Sequence, residues 1–256
     1  MGVQPEATQS SQVDSLKEAE PELSLIVPVY DERDNLEPLV DELLGVLGKM
    51  GKTYEILLVD DGSRDGSSEK IAHLARSVPG VRGLHLKVNR GQTAAFDAGF
   101  KAARGRILVT IDADLQYDPH DIPALLGALP GHAAAVGYRR ERRDTWLRGV
   151  SSSIANEVRN RLSGDEIIDT GCSLKAFRRE ALAGIKLYTG MHRFLPTLVR
   201  MEGLRVVEVP VGHRPRLAGR SKYGISNRLL RSFIDLLAVR WMKKRRLDYE
   251  VVRHEP

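Results

Sequence analysis

The sequence predicts an α/β fold with a mostly parallel central sheet flanked by helices. Three observations carry that prediction. Between residues 23 and 129, short apolar runs of strand length alternate with runs whose apolar residues recur at helical spacing, the pattern of repeated βαβ units. Acidic residues close or follow three of the strand-like runs, at the carboxyl ends where parallel sheets hold ligands. At 256 residues the chain is long enough to bury a sizeable core.

Residues 23–30 are continuous enough in apolar character for a buried first strand. Leu36, Leu39, Val40, Leu43, Leu44 and Leu47 then mark a helix over 35–48. Residues 54–61 read as a second strand ending in Asp60 and Asp61, and Ile71, Leu74 and Ala75 place a helix over 67–77. A third strand is expected over 81–88 and a close-packing helix of small residues over 92–103. Residues 107–111 make a fourth strand, and 121–129 a further helix.

Residues 1–22 are polar and acidic and lack the basic start and apolar centre of a signal peptide. They are expected to be a disordered arm before a folded domain over 23–226. Residues 227–256 are expected to be a C-terminal amphipathic helix, membrane-proximal or oligomerising, with a basic tail. No stretch approaches the roughly 18 apolar residues of a membrane span. The single Cys172 excludes an intrachain disulfide and fits a reducing compartment.

Asp112-Ala113-Asp114 is the most informative segment. Two carboxylates one residue apart at a strand end can share one hard cation, and Mg²⁺ commonly takes one or two carboxylates plus substrate phosphates. Asp31 and Glu32, Asp60 and Asp61, and Asp112 and Asp114 gather on one rim, where mutual repulsion calls for a cation or a hydrogen-bonding ligand. There is no G-x-x-x-x-G-K-[ST] loop, and no G-x-G-x-x-G follows the first strand, which argues against an ATPase and a typical dehydrogenase. The net charge of +5 is concentrated around Arg139, Arg140, Arg142, Arg143 and Arg148 and again over 240–246. Without interleaved aromatics, these clusters do not read as a nucleic-acid surface.

Pro28-Val29-Tyr30-Asp31-Glu32, Val59-Asp60-Asp61-Gly62-Ser63-Arg64-Asp65 and Asp112-Ala113-Asp114, in that order, resemble glycosyltransferase family 2 and its GT-A fold. The continuation Leu115-Gln116-Tyr117-Asp118-Pro119, the segment 169–178, the segment 191–196 and the basic stretch 208–224 resemble the polyprenyl-phosphate branch, which includes dolichol-phosphate mannose synthase and bacterial undecaprenyl-phosphate sugar transferases. The resemblance covers nearly all of the chain after the arm.

That resemblance implies metal-dependent, inverting transfer of a sugar from a GDP- or UDP-linked donor to a polyprenyl phosphate, in cell-envelope glycan synthesis. Asp112, Asp114 and Gln116 would hold Mg²⁺ or Mn²⁺. Pro28, Tyr30, Glu32, Asp61, Asp112 and Ala113 would line the donor site. Asp114, Arg139 and Lys222 would be catalytic, and Arg148, Ser152 and Arg216 would bind the acceptor phosphate. A phosphate is already anionic near neutral pH, so it needs orientation by cations and no general base. Asp65 is expected to cap the helix at Ser67, and Asp169 to orient a nearby arginine or to position sugar or acceptor, the former preferred. Cys172 is expected to be a buried small residue.

A lipid acceptor needs a route to the enzyme. Val150, Ile154, Val158 and Leu162 recur at helical spacing, as do Leu229, Leu230, Phe233, Ile234, Leu236, Leu237, Trp241 and Met242 among basic residues, a composition suited to a bilayer interface or to a sister subunit. Many bacterial relatives continue into two membrane-spanning helices, and this chain departs from them by ending at Pro256. The expectation is peripheral attachment at the cytoplasmic face, with a small membrane partner or a homo-oligomer and no nucleic acid. Two alternatives stand beside it: a family 2 transferase acting on a soluble sugar or protein hydroxyl, and a non-catalytic nucleotide-sugar or membrane-binding module.

Overall fold

Seven strands form one sheet in the computed structural model, which describes residues 20–139, 167–215, 225–247, 249, 252 and 253, with the backbone alone for 225–232. In chain order the elements are β1 (Leu23–Val29), α1 (Arg33–Leu47), β2 (Tyr54–Asp60), α2 (Ser67–Ser77), β3 (Val81–His85), α3 (Gln92–Ala102), β4 (Ile107–Thr110), α4 (Ile122–Ala128), β5 (Ala134–Arg139), β6 (Lys175–Arg178), α5 (Arg179–Leu182), α6 (Leu195–Met201), β7 (Val206–Val211) and α7 (Ile225–Arg245). Short 3₁₀ turns over Pro119–Asp121 and Met191–Phe194 lead into α4 and α6.

The strand order is β3-β2-β1-β4-β6-β5-β7. Every pairing is parallel except those of β6, which runs antiparallel to both β4 and β5. The sheet is therefore mixed, mostly parallel. β6 is only four residues long, too short to show an alternating pattern in the sequence.

Alternation along the central strands sends side chains to two cores. Leu23, Leu25, Val27 and Val29 of β1, with Ile56 and Leu58 of β2, pack under α1, α2 and α4. Ile26, Leu57 and Val59 pack on the other face against Phe96 of α3, Leu182 of α5 and Val199 of α6. A strand covered on both faces reads as a continuous apolar run, as β1 and β2 do. A third cluster joins Leu236 and Val239 of α7 to Met191, Phe194 and Leu198.

β3 ends at His85, three residues before the end expected for it. The chain there crosses directly over Gly62, whose φ is +73°, and a Cβ at that position would lie 2.6 Å from Asn89 N and 2.8 Å from the Val88 carbonyl carbon. Only glycine admits this approach. Glu22, expected in the arm, is tied to the domain: its N–H donates to Thr53 O at 2.9 Å, and its carboxylate pairs with Lys52 at 3.0 Å. Residues 1–19 lie outside the described residues.

Candidate active site

The sheet opens where β1 outruns β4. The two strands pair from Leu23 to Ile26, and Ile111 N donates to Ile26 O at 3.3 Å. Beyond this point the β4-facing edge of β1 has no ladder partner, and Pro28, which has no N–H to donate, sits on that edge. Topological switch points of this kind are where open α/β sheets form their ligand crevice.

Two strand-end loops are laced together on the rim. Asp31 N donates to Ser63 Oγ at 3.0 Å, Arg64 N to Asp31 Oδ1 at 2.7 Å, and Glu32 N to Ser67 Oγ at 3.0 Å. Asp31 takes φ +49°, a left-handed conformation that aspartate tolerates better than most residues. The Asp65 carboxylate accepts from Arg33 N at 3.1 Å and from Ser67 N at 3.0 Å, so it serves the first residues of α1 and α2 together. The Glu32 carboxylate accepts from Asn35 Nδ2 at 2.6 Å. Pro28 and Tyr30 are half-buried at this edge.

Asp61 is buried, and its two oxygens accept from Arg90 N at 2.7 Å and Gly91 N at 2.8 Å. It thereby fixes the loop that starts α3. Burial pushes its carboxyl above the usual aspartate value, against the pull of those two amides, and the neighbouring Asp60 charge adds to the rise. Gln92, the first residue of α3, donates from Nε2 to Asp112 Oδ1 at 2.7 Å. A carboxylate at the end of β2 thus sets the loop whose next residue holds the carboxylate at the end of β4.

Asp112 also donates its own N–H to Ser173 Oγ at 3.2 Å. Burial, and then the Asp114 charge, push its carboxyl up to about 6. Asp114 is 8% exposed and accepts from Gln116 N at 3.2 Å. Between them the chain turns through Leu115 at φ +59°, a conformation costing a non-glycine residue about 1–2 kcal/mol and held here by burial of the leucine. Strain of this sort concentrates at functional loops. The segment offers two carboxylates, with the Gln116 side-chain oxygen two residues further on. These are hard oxygen ligands that suit Mg²⁺ or Mn²⁺ and leave positions for phosphate oxygens. Among the described residues no three His, Cys, Asp or Glu side chains gather as a closed metal cage.

The other half of the rim is built by β5 and the segment before β6. Arg139 ends β5, and its Nε and Nη2 donate to Asp169 Oδ2 and Oδ1 at 2.7 and 3.1 Å. Burial works against the guanidinium charge, but the Asp169 carboxylate more than offsets it and holds Arg139 above its ordinary value. Asp169 also accepts from Gly171 N at 3.0 Å. Tyr117, 4% exposed, lies between the two halves, its hydroxyl 3.5 Å from Gly171 O. Lys175 is buried and donates to Cys172 O. Burial lowers its ammonium, against the pull of the Asp112 and Asp169 carboxylates. Cys172 is fully buried, and burial pushes its thiol up to about 11, an inert thiol at neutral pH.

The structure thus gathers Pro28, Tyr30, Glu32, Asp61, Asp112, Ala113, Asp114 and Gln116 on one rim and places Arg139 two strands away from β4. Arg148, Ser152, Arg216 and Lys222 lie outside the described residues, as does the run from Val150 to Leu162. Gln92, Ser173 and Lys175 were not legible as site residues, because each reaches Asp112 or its neighbours only through the fold.

The model of the family described as glycosyl transferase family 2 matches residues 24–185. A dodecaprenyl-phosphate galacturonate synthase of Rhizobium johnstonii is 40% identical over 228 residues, covering 85% of this chain and 66% of that protein. An undecaprenyl-phosphate 4-deoxy-4-formamido-L-arabinose transferase of Shewanella sediminis is 38% identical, covering 84% and 65%. The chain spans just under two thirds of the length of these relatives. In fold it is similar to glucosyl-3-phosphoglycerate synthase of Mycobacterium tuberculosis, solved with Mn²⁺, UDP and glucosyl-3-phosphoglycerate, at a TM-score of 0.66 and 18% identity over 95% of this chain and 86% of that one. It is also similar to a mannosyltransferase of Pyrobaculum calidifontis, solved with GDP-mannose and Mn²⁺, at a TM-score of 0.56 and 22% identity over 80% and 59%. Sheet order, strand-end acids and sequence matches agree: this chain belongs to glycosyl transferase family 2.

Proposed function

We propose that this chain transfers a sugar from a nucleotide-sugar to a polyprenyl phosphate at the rim where β1 and β4 part. The observation that carries the reading is the pairing of an oxygen-donor motif, Asp112 and Asp114, with an arginine, Arg139, held ready by Asp169 on the same sheet edge. The names of the relatives support the acceptor: the two above, at 38–40% identity, are polyprenyl-phosphate sugar transferases.

Asp112, Asp114 and Gln116 would hold Mg²⁺ or Mn²⁺, which offsets the charge of a departing nucleoside diphosphate when bound. Pro28, Tyr30, Glu32 and Asp61 shape the donor pocket, with Ala113 between the metal acids. Arg139 orients the acceptor phosphate, joined by Arg148, Ser152, Arg216 and Lys222. A phosphate oxygen forms the new bond to the anomeric carbon as the bond to the nucleoside diphosphate breaks, and single displacement inverts the configuration. The acceptor phosphate already carries an anionic oxygen near neutral pH and attacks without losing a proton, so no residue here is needed as a base.

We read residues 23–226 as the catalytic domain, following an arm over 1–22 whose last residue, Glu22, is tied to the domain. Residues 227–256 serve as a peripheral membrane element at the cytoplasmic face. The backbone of α7 and its exposed Phe233, Ile234, Leu237 and Trp241 support that reading, and no helix of the described residues is long and apolar enough to cross a membrane.

The test is transfer from a panel of radiolabelled GDP- and UDP-sugars to undecaprenyl phosphate, with and without EDTA. Metal-dependent, chloroform-soluble label from one donor is the expected result and names the sugar. Metal-dependent donor loss without lipid label points to a soluble acceptor instead.

A further inference from the structure

Arg214 is held between two carboxylates from distant parts of the chain. Its Nη1 donates to Glu42 of α1, at 3.0 Å to Oε1 and 2.9 Å to Oε2, and its Nη2 lies 2.6 Å from Asp118 Oδ2. The backbone is joined at the same place. Arg214 N donates to Gln116 O at 2.7 Å, His213 forms an antiparallel bridge with Tyr117, and Gly212 N donates to Asp121 Oδ2 at 2.7 Å. The His213 ring meets the Tyr117 ring edge-on at 5.4 Å. The extension of β7 is therefore zipped along residues 116–118, which directly continue the Asp112–Asp114 motif.

We propose that Arg214 is a positioning residue. It clamps the extension of β7 to the loop that carries Gln116, so that the metal-binding acids are presented in one fixed arrangement. The inference rests on the metal-site reading above. Three features support it. Leu115, the residue that follows Asp114, takes a left-handed conformation, which persists only while its surroundings over-determine it, and the clamp begins at the next residue. Glu42 lies on α1, the helix whose first residue is held by Asp65 at the donor rim, so one rigid element ties the clamp to the nucleotide loops. The guanidinium fork satisfies two carboxylates at once, which a lysine ammonium does not reproduce. A partly exposed ion pair contributes little to global stability, whereas a misplacement of about 1 Å at a reacting site can lower a rate roughly a hundredfold.

The experiment measures Mn²⁺ binding to the full chain by electron paramagnetic resonance, with hydrogen exchange over residues 112–121, for wild type, Arg214→Met, Arg214→Lys and the double variant Glu42→Gln with Asp118→Asn. Expected are about tenfold weaker Mn²⁺ binding and faster exchange of 112–121 in Arg214→Met and the double variant, with Arg214→Lys between them and wild type. Mn²⁺ should slow exchange of 212–215 in wild type, because coupling between two sites is reciprocal. Unchanged Mn²⁺ affinity in a variant that is folded but less heat-stable overturns the proposal and makes Arg214 a purely structural residue. Should Arg214→Met not fold, the double variant, which keeps the arginine, decides by the same readouts. A wild-type chain that binds no Mn²⁺ overturns the metal-site reading and this inference with it.

Discussion

Arg139 and Asp169 meet edge to edge, two nitrogens of the guanidinium on two oxygens of the carboxylate, with the aspartate 5% and the arginine 24% exposed in their side chains. The planar fork fixes the guanidinium in direction as well as in place. Replacing Asp169 with Asn keeps the shape but removes one acceptor and the charge. The expected outcome is a fall of about 10–100-fold in kcat/KM for the proposed phosphate acceptor, with a stability loss of about 1–3 kcal/mol once the arginine's partial exposure is allowed for. Steady-state kinetics beside thermal unfolding separate the two. A stability loss with unchanged acceptor kinetics would place the pair outside acceptor binding.

Asp112 carries a conflict between stability and function. Its carboxyl is pushed up to about 6 from the ordinary aspartate value of 3.8, so the folded, metal-free chain holds this proton more tightly than the unfolded chain. The stabilisation linked to it is fully present below about 4 and is lost as pH rises to about 6. Asp112→Asn removes that loss. The metal-free variant should melt about 2–6 °C above metal-free wild type at pH 7.5, with the gap closing near pH 4, while Mn²⁺ raises the melting temperature of wild type alone. Binding of Mn²⁺ to wild type should weaken by about tenfold per unit below pH 6, where a proton competes for the same oxygens. A calorimetric series across pH 4–8 checks both signs.

Asp65 serves two helices with one side chain. Asp65→Ala withdraws the acceptor for Arg33 N at the start of α1 and for Ser67 N at the start of α2. A single lost cap costs about 0.5–2 kcal/mol. Two at once, in a laced loop, should cost about 2–3 kcal/mol. Asp65→Asn should recover part of it by retaining the oxygen. Urea denaturation at neutral pH measures the difference.

The first half of the fold was legible because its strands are buried on both faces. Leu25 and Ile26 serve opposite cores, so β1 reads as an unbroken apolar run, and α1 shows its buried stripe at Leu36, Leu39, Val40 and Leu43. The second half was not, because β6 is four residues long and runs against its neighbours. The acids of the site were legible by their places at strand ends. Their partners were not: nothing in the sequence links Asp61 to Arg90, Gln92 to Asp112 or Arg214 to Glu42 and Asp118. Those contacts exist only once the loops are folded onto one rim, and sequence separations of 20 to 172 residues carry no local signal for them.

The face of α7 turned away from the domain leads to the last prediction. Leu236 and Val239 are inserted against Met191, Phe194 and Leu198, whereas Phe233, Ile234, Leu237 and Trp241 are 47%, 56%, 43% and 64% exposed on the other side. Lys243, Lys244, Arg245 and Arg246 follow at the helix end. The inward residues are a matter of stability, and on the proposed reading the outward ones serve attachment. Leu236→Ala should lower the melting temperature, at a cost of about 2–4 kcal/mol for a buried leucine. Phe233→Ser with Trp241→Ser should leave it within about 1 °C, because neither side chain contributes to the core, yet weaken partition onto vesicles with anionic lipid by about tenfold or more through lost apolar burial. Raising salt should weaken wild-type partition further, since each basic residue near an anionic surface contributes about 1 kcal/mol. Co-sedimentation with vesicles of matched size and differing charge measures the two partition effects, and thermal unfolding the two melting temperatures. If the double variant still partitions like wild type but no longer self-associates in solution, the exposed face belongs to a sister subunit.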